Sequence, residues 1–181
     1  ADLPGAVDLL AAGVQSEPVR PGEYVHLRTD WRIAEPFDRD WSLFIHLATP
    51  SGVIIAQRDI YPGQGLYATT HLPTGHTWKN PIAVSVPDGA YAPNTLDVLV
   101  GWYQLDTNNR MTTPGGGERV KIGTVDLRPR ESERDLPNPI NVNFDNRIEL
   151  IGYEYSTLTP QQGEEMDVTL YWQALEPIEE D

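Results

Sequence analysis

The sequence predicts an all-β protein, a two-layer antiparallel β-sandwich of immunoglobulin-like or jelly-roll-like order. Three observations carry that prediction. Short stretches rich in Thr, Val, Ile, Tyr and Trp alternate apolar and polar residues along the 181-residue chain. They are separated by turns that draw on 16 Pro and 15 Gly. Long runs of helix-favouring sequence are absent, and the 39% hydrophobic content is enough for a packed core.

A first strand is expected over residues 6–15, followed by a turn with two prolines and a glycine. Residues 23–33 alternate cleanly. Val25, Leu27, Thr29, Trp31 and Ile33 point one way, and Tyr24, His26, Arg28, Asp30 and Arg32 the other. Residues 41–48 form the third strand, with Trp41, Leu43, Ile45 and Leu47 inward. Phe44 and His46 take the opposite face, where His46 is expected to neighbour His26. Thr49-Pro50-Ser51-Gly52 sets Pro and Gly where a type I turn prefers them, and joins this strand to residues 53–59 as a hairpin. A long loop, residues 60–78, leads to a strand at 80–86. Residues 94–105 are apolar on both faces and take a central place, and residues 119–127 form the seventh strand. Seven strands at this spacing fit two packed layers.

The chain then repeats itself. Displaced by 141 residues, "AVDLLAAGVQSEPVRPGEYVHLRTDWRIAEPFDRD" lies over "RIELIGYEYSTLTPQQGEEMDVTLYWQALEPIEED" without a gap. Leu9/Leu150, Gly22/Gly163, Glu23/Glu164, Trp31/Trp172, Glu35/Glu176, Pro36/Pro177 and Asp40/Asp181 are identical, and the apolar positions stay in phase. The expected organisation is a complete sandwich module over 1–127, a charged, proline-rich linker over 128–141, and the first strands of a second, truncated repeat over 142–181. Two amphipathic strands of that repeat, at 148–155 and 165–173, have too few partners to build a core of their own. A homodimer through strand exchange or edge pairing of residues 142–181 is therefore expected.

The run "NVNFDNRIELIGYEYS…GEEMDVTLYWQALEP", with "WSLFIHLATPSGVIIAQRD", "LDVLVGWYQLDT" and "VKIGTVDL", resembles a β-sandwich unit of bacterial polytopic membrane glycosyltransferases, relatives of the protein O-mannosyltransferase and aminoarabinose-transferase group. The resemblance covers nearly the whole chain and rests on turn residues and core aromatics. It implies an extracytoplasmic location and attachment to a membrane-anchored parent. Because glycosyl transfer in that family belongs to the membrane domain, it brings no catalytic residue to this chain.

Composition narrows the chemistry. A formal net charge of −14 opposes binding to nucleic acid or to an anionic membrane surface. With no cysteine, disulfides and thiolate ligands are excluded. His71 and His76 share a loop, but no ligand spacing accompanies them, and neither metal nor other cofactor is expected. No nucleophile or phosphate-loop motif occurs, so no catalytic residue is assigned. The candidate ligand-binding residues are aromatic: Tyr61, Tyr67, Trp78 and Tyr91 lie in or beside loops, expected at one end of the sandwich, where exposed rings stack on sugars. The function expected is a non-catalytic extracytoplasmic accessory module that serves as a scaffold, a docking surface or a weak carbohydrate binder. The alternatives are a glycoside hydrolase-like domain using loop carboxylates and an adhesin-like stalk module.

Overall fold

The computed structural model describes residues 7–132 and 134–177. Seven strands make the first unit: β1 (Val7–Val14), β2 (Tyr24–Ile33), β3 (Ser42–Ala48), β4 (Ile54–Ile60), β5 (Thr77–Ser85), β6 (Asn94–Tyr103) and β7 (Val120–Leu127). One layer has the order β1-β2-β5 and the other β4-β3-β6-β7, with every pairing antiparallel. Strands one, two and five against four, three, six and seven is an immunoglobulin-like order, so the jelly-roll alternative falls away. Three further strands, β8 (Pro139–Phe144), β9 (Ile148–Tyr155) and β10 (Val168–Ala174), form a separate sheet in the order β10-β9-β8.

The core of the first unit is built around three tryptophans. Trp31 on β2 lies opposite Trp78 on β5, and both meet Trp102 of the facing layer edge-on, at ring separations of 5.1 and 6.2 Å. Trp31 and Trp102 are fully buried. The two open sides of the sandwich are stitched together. Arg58 of β4 donates to the Ala83 carbonyl of β5 at 2.7 Å. On the other side Val19, in the β1–β2 connection, forms a parallel bridge to Leu127, with its N–H 2.9 Å from the Asp126 carbonyl.

Three expectations change. β5 begins at Thr77, so Trp78 is a strand residue in the core rather than a loop residue. The segment before it holds one helical turn (Pro62–Gly65, with Gly63 and Gln64 at positive φ) and a 3-10 turn (Thr69–His71). The outer face of β3 is not open: Phe44 and His46 are buried. The β6–β7 connection folds back over them, held by the Met111 N–H on the Trp102 carbonyl at 2.9 Å and by Arg110 lying 4.9 Å over the Phe44 ring. Gly101 is what lets the Phe44 ring lie flat on β6, since a Cβ there would collide with that ring. His26 and His46 stand on different sheets and are not neighbours.

The repeat is reproduced in backbone detail. In β1–β2, Val7 faces Ile33, Leu9 faces Trp31, Leu10 is bulged out, and Ala11 faces Asp30. In β9–β10, Ile148 faces Ala174, Leu150 faces Trp172, Ile151 is bulged out, and Gly152 faces Tyr171. Each pair in the second hairpin is the first hairpin's pair displaced by the same 141 positions. The turn chemistry matches as well. Glu23 accepts from the Arg20 N–H, and Glu164 accepts from the Gln161 N–H, both at 2.8 Å, beside Gly22 and Gly163 at positive φ. A bulge alters twist and face at one position, so its repetition marks a shared design and not merely a shared hydrophobic pattern.

The stretch expected to be a linker is docked. Arg130 donates to the Pro21 carbonyl at 2.8 Å and pairs with Asp88, and Arg20 pairs with Glu131. Asn138 is buried, and its side-chain oxygen accepts from the Ala92 N–H at 2.8 Å. β8 then starts at Pro139, inside the expected linker range.

Candidate functional site: the cavity at the junction

Between β5 and β6 the chain runs through Pro87–Asp88–Gly89–Ala90–Tyr91–Ala92–Pro93, a stretch whose prolines and glycine keep it out of either sheet. Tyr91 sits here, half-buried. Its ring stacks on Tyr155 of β9 (5.2 Å, 25° between planes) and packs against Tyr153 at 6.1 Å. Tyr153 fixes the arrangement, its hydroxyl donating to the Gly89 carbonyl at 2.7 Å. Burial first, and then the neighbouring Tyr155 and Tyr91, push the Tyr153 phenol up to about 12. Three tyrosines from two units thus form one cluster.

Beside this cluster lies a cavity of about 340 Å³. The β3–β4 turn contributes Thr49, Pro50, Ser51 and Val53, and β4 contributes Ile55. The first unit adds Tyr91 and Asn94, and the β9–β10 connection closes it with Leu158 and Thr159. The turn is set by the Gly52 N–H on the Thr49 carbonyl (2.8 Å), and the Thr49 and Ser51 hydroxyls lie 2.8 Å apart. Among the described residues no charged side chain lines the cavity, although the chain carries a net charge of −14. Its walls combine an aromatic ring and aliphatic groups with hydroxyl and carboxamide groups, the composition of a site for a neutral, partly apolar, hydroxyl-bearing ligand.

The four aromatics named from sequence do not gather at one end. Tyr91 stands next to the Asn94 end of β6, whereas Tyr61 follows Ile60, which pairs with Leu43 at the opposite end of the sheet. Tyr61 lines a separate cavity of about 500 Å³ with Arg39, Asp40, Leu105 and Asp106. Tyr67, at that same end, turns its edge to His76 at 5.9 Å. Trp78 is only 7% exposed and offers no ring face to a ligand. Of the four, Tyr91 and Tyr61 line cavities. Thr49, Ser51, Asn94, Leu158 and Thr159 went unnoticed in the sequence. The only available signal was the turn motif at Thr49–Gly52, which speaks of backbone geometry and not of a ligand.

The Tyr61 cavity is charged and organised differently. Asp40 accepts from the Thr70 N–H (3.0 Å) and the Thr70 hydroxyl (2.9 Å), and the Thr70 main-chain bond is the chief reason its carboxyl lies below the ordinary value. Tyr103 nearby donates to Asp59 at 3.1 Å. Among the described residues no group of three His, Asp or Glu stands where it would hold a metal ion.

No family model matches the chain. A sulfite reductase [NADPH] hemoprotein beta-component from Xylella fastidiosa (strain 9a5c) is 30% identical over 148 residues, covering 78% of this chain. The chain spans about a quarter (25%) of that relative's length. Among solved structures, the C-terminal domain of wzt superposes with a TM-score of 0.49 at 12% identity, over 72% of this chain and 77% of that one.

Proposed function

We propose that this chain is a non-catalytic β-sandwich accessory module, repeated in tandem, that binds neutral carbohydrate at the Tyr91 cavity. One observation carries the reading: an uncharged cavity that sets a tyrosine ring beside hydroxyl and amide groups, in a strongly acidic protein. Sugar rings present C–H faces to aromatic rings and hydroxyls to polar side chains, and a cavity of this size suits a small ligand. The absence of charge argues against anionic sugars, which an acidic surface would also repel.

Binding is favoured over hydrolysis because a glycosidase needs two carboxyl groups flanking the scissile bond, and among the described residues none lines the Tyr91 cavity. The docked junction supports a spacer role alongside sugar binding, since Tyr153, Asn138 and Arg130 all tie the second sheet or its approach to the first unit. In keeping with the glycosyltransferase resemblance, the module is placed on the extracytoplasmic side of a membrane-anchored parent. Among the described residues no helix is long and apolar enough to cross a membrane.

Calorimetric titration with neutral hexose oligosaccharides and with uronate-containing ones tests the ligand class. Saturable heat with neutral ligands alone is expected. Binding restricted to the acidic set, or cleavage of either set detected by chromatography, overturns the proposal.

A further inference from the structure

The walls of the Tyr91 cavity come from both units, and neither unit makes it alone. The first supplies Thr49, Ser51, Tyr91 and Asn94, and the β9–β10 connection supplies Leu158 and Thr159. Those last two are not copies. Gly163 and Glu164 repeat Gly22 and Glu23, and the hydrogen bonds of the two turns match, yet Leu158 and Thr159 stand where the first hairpin has Glu17 and Pro18. An aliphatic side chain thus replaces a carboxylate where the connection meets the cavity, with no change in the turn to require it. Tyr91 is itself held from across the junction. The Gly89 carbonyl accepts from the Tyr153 hydroxyl at 2.7 Å, and the Ala92 N–H donates to Asn138 at 2.8 Å, one bond on either side of Tyr91 in the chain. Its ring stacks on Tyr155 at 5.2 Å. Undocking would remove one wall and release the loop that carries the ring.

We propose that ligand binding at this cavity and docking of the two units are one coupled equilibrium: a neutral sugar clamps the junction, and only the docked junction binds it well. The coupling rests on the reading of the Tyr91 cavity as a sugar site. A junction made of a small aromatic cluster and a few hydrogen bonds within one chain opens far more readily than a sandwich core. A ligand gripped by both units favours the docked state through its differential affinity. Linkage then requires that docking strengthen ligand binding by the same factor. The sugar therefore fixes the angle between successive units, and a tandem spacer stiffens when its ligand is present.

Amide hydrogen exchange of the intact wild-type chain is the test, with and without neutral tetrasaccharides of glucose, mannose or galactose that give saturable heat in calorimetry. The Ala92 N–H, whose acceptor lies across the junction, should exchange faster than the amides of β6, which open only with the sandwich. With ligand at ten times its Kd, Ala92 exchange should slow about elevenfold. The Tyr153 N–H, bonded to the Pro137 carbonyl and outside the cavity wall, should slow by the same factor, which excludes mere shielding by the sugar. In the reverse direction, Asn138→Ala combined with Tyr153→Ala leaves every cavity-lining residue in place. It should weaken binding at least fivefold, the lower end of common coupling factors, with circular dichroism checking that the first unit stays folded. Saturable binding that leaves Ala92 and Tyr153 exchange unchanged overturns the coupling while the sugar site stands. So does an Ala92 N–H that opens no faster than β6, or full affinity in the double variant. Absence of saturable heat with any of the neutral sugars removes the site, and the coupling with it.

Discussion

The Tyr153 hydroxyl donates to the Gly89 main-chain oxygen at 2.7 Å, a bond that joins the second sheet to the loop carrying Tyr91. It spans two units that share no sheet, so it sets how the junction cavity is closed. Tyr153→Phe should destabilise that junction by about 1 kcal/mol, the usual net worth of one hydrogen bond. Chemical denaturation at pH 8 measures this. The pH dependence has a definite sign. The folded state keeps the phenol neutral up to about 12, above the ordinary value of 10.0. Its contribution is therefore complete below pH 10 and is lost as pH rises from about 10 towards about 12. Tyr153→Phe should flatten that alkaline slope.

His46 supplies the corresponding acid-side prediction. It is buried against the Phe44 ring at 4.6 Å, and its Nδ1 has no hydrogen-bond partner among the described residues. Burial, reinforced by Arg110 and Arg119 and opposed by Asp59, holds its pKa below the ordinary 6.5. The unfolded chain thus takes up the proton first. Stability contributed by neutral His46 is present above pH 6.5 and falls as pH drops below it. Thermal melts between pH 7.5 and 5.5 should show this loss, and His46→Phe should reduce the slope.

Gly101 carries a steric prediction. A Cβ at this position meets the Phe44 ring and the Glu118 carbonyl, one of them strand side chain and the other fixed backbone. Gly101→Ala should cost about 1–3 kcal/mol, as overpacking of a filled site does. Urea denaturation should move its midpoint without a change in slope.

How much of this was legible in sequence depends on how local each feature is. The hairpin repeat was legible because strand register is written in period two, and the matched apolar positions of residues 6–40 and 147–181 preserve that phase over the whole overlap. The early start of β5 is hidden because a polar residue, Asn80, holds the buried position between Trp78 and Ile82 and masks the apolar alternation there. The structure accepts Pro81 because β5 is an edge of its sheet, where a missing N–H costs little. Trp78 consequently reads as a loop aromatic in the sequence, although it belongs to β5. The burial of Phe44 and His46 was hidden because the segment that covers them, at Arg110 and Met111, reads as a polar turn. The junction cavity was least legible of all. It joins Thr49, Tyr91 and Leu158, three residues far apart in the chain and brought together only by the docking of one unit on another.

Trp78 itself gives a clean check on that correction. Trp78→Ala should cost about 3–5 kcal/mol by opening a cavity in the core, measured by thermal denaturation. In protein that remains folded, it should leave ligand binding intact, because Trp78 lines no part of the junction cavity.

The central claim is that Tyr91 and its neighbours bind a neutral sugar. It is tested most directly by calorimetric titration of the wild type, Tyr91→Ala and Tyr61→Ala with neutral hexose tetrasaccharides. The account predicts saturable binding by the wild type with Kd on the order of 0.1–1 mM, weakened at least tenfold in Tyr91→Ala and unchanged in Tyr61→Ala. No saturable heat from folded wild-type protein, or a loss of binding in Tyr61→Ala with Tyr91→Ala unaffected, would contradict it.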